Sequence, residues 1–308
     1  MKPSIPLNQC MLYKCRSKKS LARCLLLDLR QLQRRSEWIQ YRVHTEQKAS
    51  GGSRVIYAPA DELKSVQKVI KSRLHRIEVP SWVYSGVKGR CHIDNAKHHA
   101  GSRYFVLSDI SSFYENCTRD AVYRFFRDDL LCSPDVASLL ADLTTVRNAE
   151  GKTVIPTGSP CSQLIAYFSY KAMFYEVASI ANRYGCKFSL YVDDLTISSE
   201  LPISNPNNLM KQLAKSLRAY GHRVKWAKTG YFGKDQFKLV TGVAIDSHGG
   251  LNVPNHLGEA VVTGLKETLA GDRSEIAPTL GRIGAARQID GRVFPEAKRL
   301  IENAQRRF

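Results

Sequence analysis

Residues 187–200 read KFSLYVDDLTISSE, and two adjacent aspartates, Asp193 and Asp194, interrupt an otherwise apolar, β-branched run. Neighbouring side chains of a strand point to opposite faces, so consecutive acids cannot both face a core or both face water. A tight turn lifts that restriction. Tyr191 and Val192 before the pair, and Leu195, Thr196 and Ile197 after it, are strong strand formers, so the sequence predicts a hairpin with the two acids at its tip. An ordinary surface turn, where aspartate merely satisfies turn geometry, is the alternative. Three features weigh against it: the flanking strands are apolar on both faces, the segment RYFVLSDISSFYENC reads as another strand ending in an acid at Asp109, and the chain is strongly basic. Gathered carboxylates repel one another unless a cation sits between them. Mg²⁺ takes oxygen ligands and keeps positions for substrate phosphates, so such a cluster points to phosphoryl transfer.

The 308 residues carry 46 Lys and Arg against 28 Asp and Glu, a net charge of +18 that implies a polyanionic partner. Residues 1–100 hold 20 basic and 7 acidic side chains, 101–200 hold 9 and 12, and 201–308 hold 17 and 9, so basic flanks bracket an acid-rich centre. No run of eighteen apolar residues is present, and the five-residue apolar patch near the N-terminus is too short for a signal-peptide core, so no membrane association and a cytoplasmic location are expected. Eight cysteines without any C-x-x-C pair read as reduced structural thiols rather than zinc ligands.

Leu21, Leu25, Leu29 and Leu32 predict one basic amphipathic helix over 18–40, and the pattern of 61–77 predicts another. Between them, residues 48–60 read as a glycine turn, a strand and a proline exit. A long apolar helix is expected from Ser162 to 185, a helix at 207–220, short strands around 222–227 and 237–245, and helices from 255 to the C-terminus.

Five segments in order resemble the reverse transcriptases. KFSLYVDDLTISS resembles their Y-x-D-D hairpin, SDISSFYENC the strand bearing the first aspartate, and VIPTGSPCSQLIAYF the segment lining the nucleotide pocket; GHRVKWAKTGYF resembles the lysine-bearing strand and turn, and SRVIYAPADELKSVQKVI the fingers segment. Asn95, Ala96 and His99 match an N-A-x-x-H motif, and Val240, Thr241 and Gly242 a V-T-G motif, which together mark the retron type.

By this resemblance Asp109, Asp193 and Asp194, with the backbone carbonyl of Ile110, are expected to hold two Mg²⁺ ions, Asp194 being the member most often set farther away. Tyr114 takes the place that stacks beneath the sugar of the incoming dNTP; a core aromatic is the alternative. Arg54 takes the place of the arginine that grips the triphosphate. Lys228 is expected to neutralise charge near the site, or else to be a solvated surface lysine. The sequence departs from the family at Thr157, where Gln is usual, and at Gln163, where Pro commonly follows the serine; Thr157 offers only a hydroxyl to the nucleotide or primer-template. Asn95, His99, Val240, Thr241 and Gly242 are expected to contact RNA or primer, with a hydrogen-bonded structural knot as the alternative for Asn95 and His99.

The implied fold is an α+β right hand, with fingers from 1–100 and 119–155, a palm from 101–118 and 156–250 built on an antiparallel sheet backed by helices, and a helical thumb from 251–308. The implied activity is RNA-directed DNA polymerisation in a retron. There, part of a structured noncoding RNA serves as template and primer, and synthesis from an RNA 2′-OH leaves a branched RNA-DNA product (msDNA). The implied partners are that RNA, its product, an effector protein of antiphage defence and a host RNase H that removes template. Another reverse transcriptase (defence-associated, diversity-generating or intron-like) and a catalytically silent RNA-binding scaffold are the rivals.

Overall fold

The structure is a computed structural model that describes residues 4–47, 51–297 and 299–301. The glycine turn expected after residue 47 lies partly outside the described residues, as does the end of the expected C-terminal helix at 302–308. In chain order the elements are α1 (Lys18–Leu25), α2 (Leu29–Gln33), β1 (Tyr41–Gln47), β2 (Ser53–Pro59), α3 (Asp61–Leu74), α4 (His92–His98), β3 (Tyr104–Asp109), α5 (Phe113–Asn116), α6 (Arg119–Arg124), α7 (Pro134–Thr144), β4 (Val146–Arg147), β5 (Thr153–Val154), α8 (Ser162–Ser169), α9 (Lys171–Arg183), β6 (Lys187–Tyr191), β7 (Asp194–Ser199), α10 (Pro206–Ala219), β8 (Gly230–Phe232), β9 (Lys238–Val240), β10 (Val243–Ile245), β11 (Leu251–Asn252), α11 (Asn255–Leu269) and α12 (Ile276–Ile289). The mixture of helices and antiparallel sheets is the expected α+β class.

The expected single helix over 18–40 is two short ones. Leu26 ends α1 in a left-handed conformation at φ 60°, and Asp28 opens α2 with a capping box in which its carboxylate accepts from the Gln31 backbone while Gln31 reaches back to the Asp28 N–H. The long helix expected from Ser162 likewise breaks at Tyr170. Around 222–227 only Val224 makes an isolated bridge, and 237–245 is a hairpin of two strands rather than one.

The chain forms two compact units: Met1–Gly89, Ile110–Ser179 and Gln212–Lys225 make the first, and Arg90–Asp109, Ile180–Lys211 and Trp226–Phe308 the second. In the first, Leu21 and Leu25 of α1, Leu32 of α2 and Leu63 and Leu74 of α3 are buried, and Phe125 stacks on Phe168 with centroids 5.2 Å apart. Gln67, fully buried on α3, donates to the Tyr41 hydroxyl and the Leu143 carbonyl and accepts from Ser159, so a polar side chain in the core is fully used.

The second unit is built on a four-stranded antiparallel sheet of order β6-β7-β3-β8, with the separate sheet β11-β10-β9 beside α4. Ile93 and Ala96 of α4, Phe105 of β3, and Val240, Val243 and Ile245 of the β9–β10 hairpin form one buried cluster. Burial of side chains of this size, at about 25 cal/mol per Å² of apolar surface, fixes both sheets to one helix.

Candidate functional site

In the second unit the hairpin is present, but its tip is not the pair of acids. Tyr191 pairs with Asp194, so the two turn residues are Val192 and Asp193, and Asp194 is the first residue of β7. Val192 carries the positive φ (60°) that a two-residue hairpin turn demands. For a β-branched residue this is a strained conformation of order 1–3 kcal/mol, which the surrounding sheet must hold in place. The register of β3 on β7 then sets Asp109 directly opposite Asp194, side chains on one face of the sheet.

The electrostatics follow from that crowding. Burial, then the neighbouring Asp194 and Asp109 carboxylates, push the Asp193 carboxyl up to about 7; burial and then Asp109 push Asp194 up to about 6. Lys228 answers part of this charge: its Nζ donates to Asp109 Oδ2 at 2.7 Å, and that bond raises the lysine further. Asp109, Asp194, Lys228, Ser108, Thr241 and Gly242 line one cavity of about 310 Å³. Lys228 thus stands at the acids with about half of its side chain, 51%, still exposed.

Among the described residues no group of three His, Cys, Asp or Glu side chains is already closed around an ion position. The donor set nevertheless suits a hard divalent cation: it is all oxygen, and its unrelieved repulsion is what such an ion removes.

Ile110 is buried, its backbone bridged to Val224. In the first unit, Arg54, Tyr114 and Thr157 line one cavity of about 470 Å³ together with Lys71, Gly158 and Gln163. Arg54 is held by Glu46 across the β1–β2 hairpin, Nη2 to Oε2 2.7 Å. The Thr157 carbonyl accepts from Tyr57 N at 2.9 Å, which turns its loop onto β2. Gly158, at φ 103°, lies so close that an added Cβ would stand 2.9 Å from Ile56 Cγ2.

Asn95 and His99 do not match the expectation of a direct RNA contact, because both are fully buried. His99 Nδ1 meets Ser198 Oγ and Nε2 meets Ser189 Oγ, each at 2.7 Å. Since the Ser198 hydroxyl donates onward to Ser102, Nδ1 carries the ring proton and Nε2 accepts from Ser189. Desolvation holds this histidine well below its usual value, so it is neutral. Val240 is buried, while Thr241 and Gly242 form the β9–β10 turn. The serines were legible only as strand residues, and Lys71 only as part of a basic helix face; nothing in their spacing marks a site.

The site is thus a four-stranded antiparallel sheet with paired acids on the adjacent strands β3 and β7 and a third acid on the β6–β7 turn. The chain belongs to the reverse transcriptase family: the model of "Reverse transcriptase (RNA-dependent DNA polymerase)" matches residues 46–244. It is 30% identical over 167 residues to the retron Se72 reverse transcriptase of Salmonella heidelberg (54% of this chain, 42% of that one) and 24% identical over 216 residues to the retron Ec86 reverse transcriptase of Escherichia coli (67% and 63%). The retron Mx162 reverse transcriptase of Myxococcus xanthus is 26% identical over 225 residues (66% and 46%). The chain thus spans roughly half the length of these relatives. Among solved structures, a telomerase from Candida albicans in complex with a telomeric RNA fragment superposes with a TM-score of 0.52 at 11% identity, covering 86% of this chain and 57% of that one, a likeness of fold.

Proposed function

We propose that this chain is an RNA-directed DNA polymerase of the retron type, one that copies a structured noncoding RNA into branched single-stranded DNA from an RNA 2′-OH. The observation that carries the reading is the register that sets Asp109 against Asp194, with Asp193 on the strained turn between β6 and β7 and Lys228 bonded to Asp109. The retron identity of the curated relatives supports the finer reading.

In this proposal Asp109, Asp193 and Asp194, with the Ile110 carbonyl, hold two Mg²⁺ ions, whose chemistry is to make the primer hydroxyl acidic and to neutralise the triphosphate. Lys228 orients Asp109 through its 2.7 Å bond to Oδ2. Arg54 and Lys71 supply the positive charge of the nucleotide cavity, Tyr114 presents its ring to the sugar, and Thr157 presents its loop. The fingers, palm and thumb division, an effector partner in antiphage defence and template removal by a host RNase H complete the proposal. Among the described residues no helix is long and apolar enough to cross a membrane.

Purified protein supplied with an RNA template, primer, dNTPs and Mg²⁺ should extend the primer, and sequencing of copurifying nucleic acid should recover one RNA joined through a 2′ branch to its DNA copy. Incorporation that fails with every template overturns the polymerase in favour of a binding scaffold; incorporation without a branched product overturns the retron assignment alone.

A further inference from the structure

The two short motifs at residues 95–99 and 240–242 are joined by side-chain bonds, and one end of that connection, Thr241, lines the carboxylate cavity. Asn95 Nδ2 donates to Thr241 Oγ1 at 3.3 Å, and the Thr241 hydroxyl donates to the His92 carbonyl at the start of α4, 2.8 Å away. Thr241 needs that hold. It sits at φ 46°, followed by Gly242 at φ 83°, and a β-branched residue enters the left-handed region only when its surroundings force it there. One helical turn beyond Asn95, His99 bonds Ser189 on β6 and Ser198 on β7, so a single ring fastens both strands of the aspartate hairpin. Thr241 and Gly242 line the same cavity as Asp109 and Asp194.

Stability alone does not account for the amide. Its Oδ1 is buried without a hydrogen-bond partner, a desolvation cost that an apolar side chain would not incur. What the amide adds is a directed grip on one turn.

We propose that α4 is a strut that fixes the Thr241–Gly242 turn and the aspartate hairpin relative to each other across the carboxylate cavity, with Asn95 and His99 as positioning residues for DNA synthesis. The proposal rests on the polymerase reading above, and it moves these two residues from RNA contact to internal scaffolding. A site whose walls slip by about an ångström loses up to about a hundredfold in rate, and the loss falls on the chemical step rather than on nucleotide binding.

Five variants test it in the full chain: Thr241→Val, which keeps the shape and removes the hydroxyl, Thr241→Ser, which restores it, Asn95→Ala, Asn95→Ala with Thr241→Val, and His99→Gln. In single-turnover extension Thr241→Val should be slower by about tenfold or more with the dNTP KM within about twofold, and Thr241→Ser should return to near the wild-type rate. Because Thr241→Val already removes the bond that Asn95→Ala removes, the double variant should be no slower than the worse single one. Hydrogen exchange provides a readout that needs no activity: Asn95→Ala should speed exchange at Thr241 and Gly242 by about tenfold, and His99→Gln should do the same at Val192 and Asp193. Wild-type exchange at those amides, or losses that multiply in the double variant, overturn the strut even if the enzyme polymerises. If Asn95→Ala does not fold, the Val and Ser pair at 241 decides. Wild-type protein that never extends a primer overturns the polymerase reading, and the exchange result then judges the strut on its own.

Discussion

Replacing Asp193 by Asn should make the protein more stable at the pH where it works, while removing its activity. The Asp193 carboxyl is raised from 3.8 to about 7 by burial and by Asp194 and Asp109. Each tenfold shift in protonation is worth about 1.4 kcal/mol, so the full displacement corresponds to at most about 4 kcal/mol against the ionised form. Asp193 is only half-buried and part of the repulsion is shared with Asp194, so about 2 kcal/mol is the expected gain for an uncharged isostere. The sign is that of a raised acid. The native state keeps a proton that the unfolded chain releases above about 4, so wild-type stability falls as pH rises from about 4 to about 7 and then levels. The Asn variant lacks that slope. Urea denaturation in EDTA at pH 4, 5, 6, 7 and 8 should therefore show the variant gaining on wild type across the interval and levelling near 2 kcal/mol above it, with primer extension abolished throughout. A variant equal to or weaker than wild type at pH 8, or a gap that does not close on acidification, refutes the idea that the carboxylates are held together against their own charge. Added Mg²⁺ should raise the wild-type melting temperature and leave the variant's almost unmoved.

Other positions give independent checks. Glu46→Gln should release Arg54 and lower the dNTP KM up to about fivefold, the range of an exposed ion pair, while Arg54→Ala should raise it; steady-state kinetics that move in the same direction for both dismiss the arginine's role. Gly158→Ala should destabilise by about 1–3 kcal/mol in urea, from its left-handed backbone and its approach to Ile56, and a loss below about 0.5 contradicts that. His222 is buried against Phe113 and Tyr170 with neither ring nitrogen bonded, and burial lowers it to about 4. Its depressed value means stability present above pH 6.5 is lost as pH falls toward 4. His222→Phe should therefore gain about 1 kcal/mol at neutral pH and more in acid, and equal pH profiles for the two proteins exclude it.

The aspartate hairpin was legible because its flanks are strand formers, yet sequence alone set both acids in the turn. Their true placement depends on β3: pairing Asp109 with Asp194 leaves Val192 to take the left-handed position, a choice no local propensity favours. The break in the N-terminal helix is hidden for the opposite reason. Its leucine spacing continues past Leu26, but the Asp28–Gln31 capping box ends one helix and begins another, a two-residue signal that periodicity averages away. β1 escaped notice because Tyr41–Gln47 is largely exposed and polar, so its pairing with β2 rather than its burial makes it a strand. The polar residues of α4 were legible as a motif and opaque as to role, since a histidine fully satisfied by two serines looks, in one dimension, like one awaiting a ligand.

That helix also explains why its motif is a spacing as much as a set of residues. An α-helix turns about 100° and climbs 1.5 Å per residue, so four steps bring His99 back over Asn95. A single residue inserted or removed between them would rotate one partner by about 100° around the helix axis, leaving every side chain present and the connection severed. Within the interval Lys97 is exposed and free to vary, whereas Ala96, wholly buried, has no room to grow. The constraint on α4 is therefore angular: substitutions there weaken the coupling by degrees, and a change of length disconnects it outright.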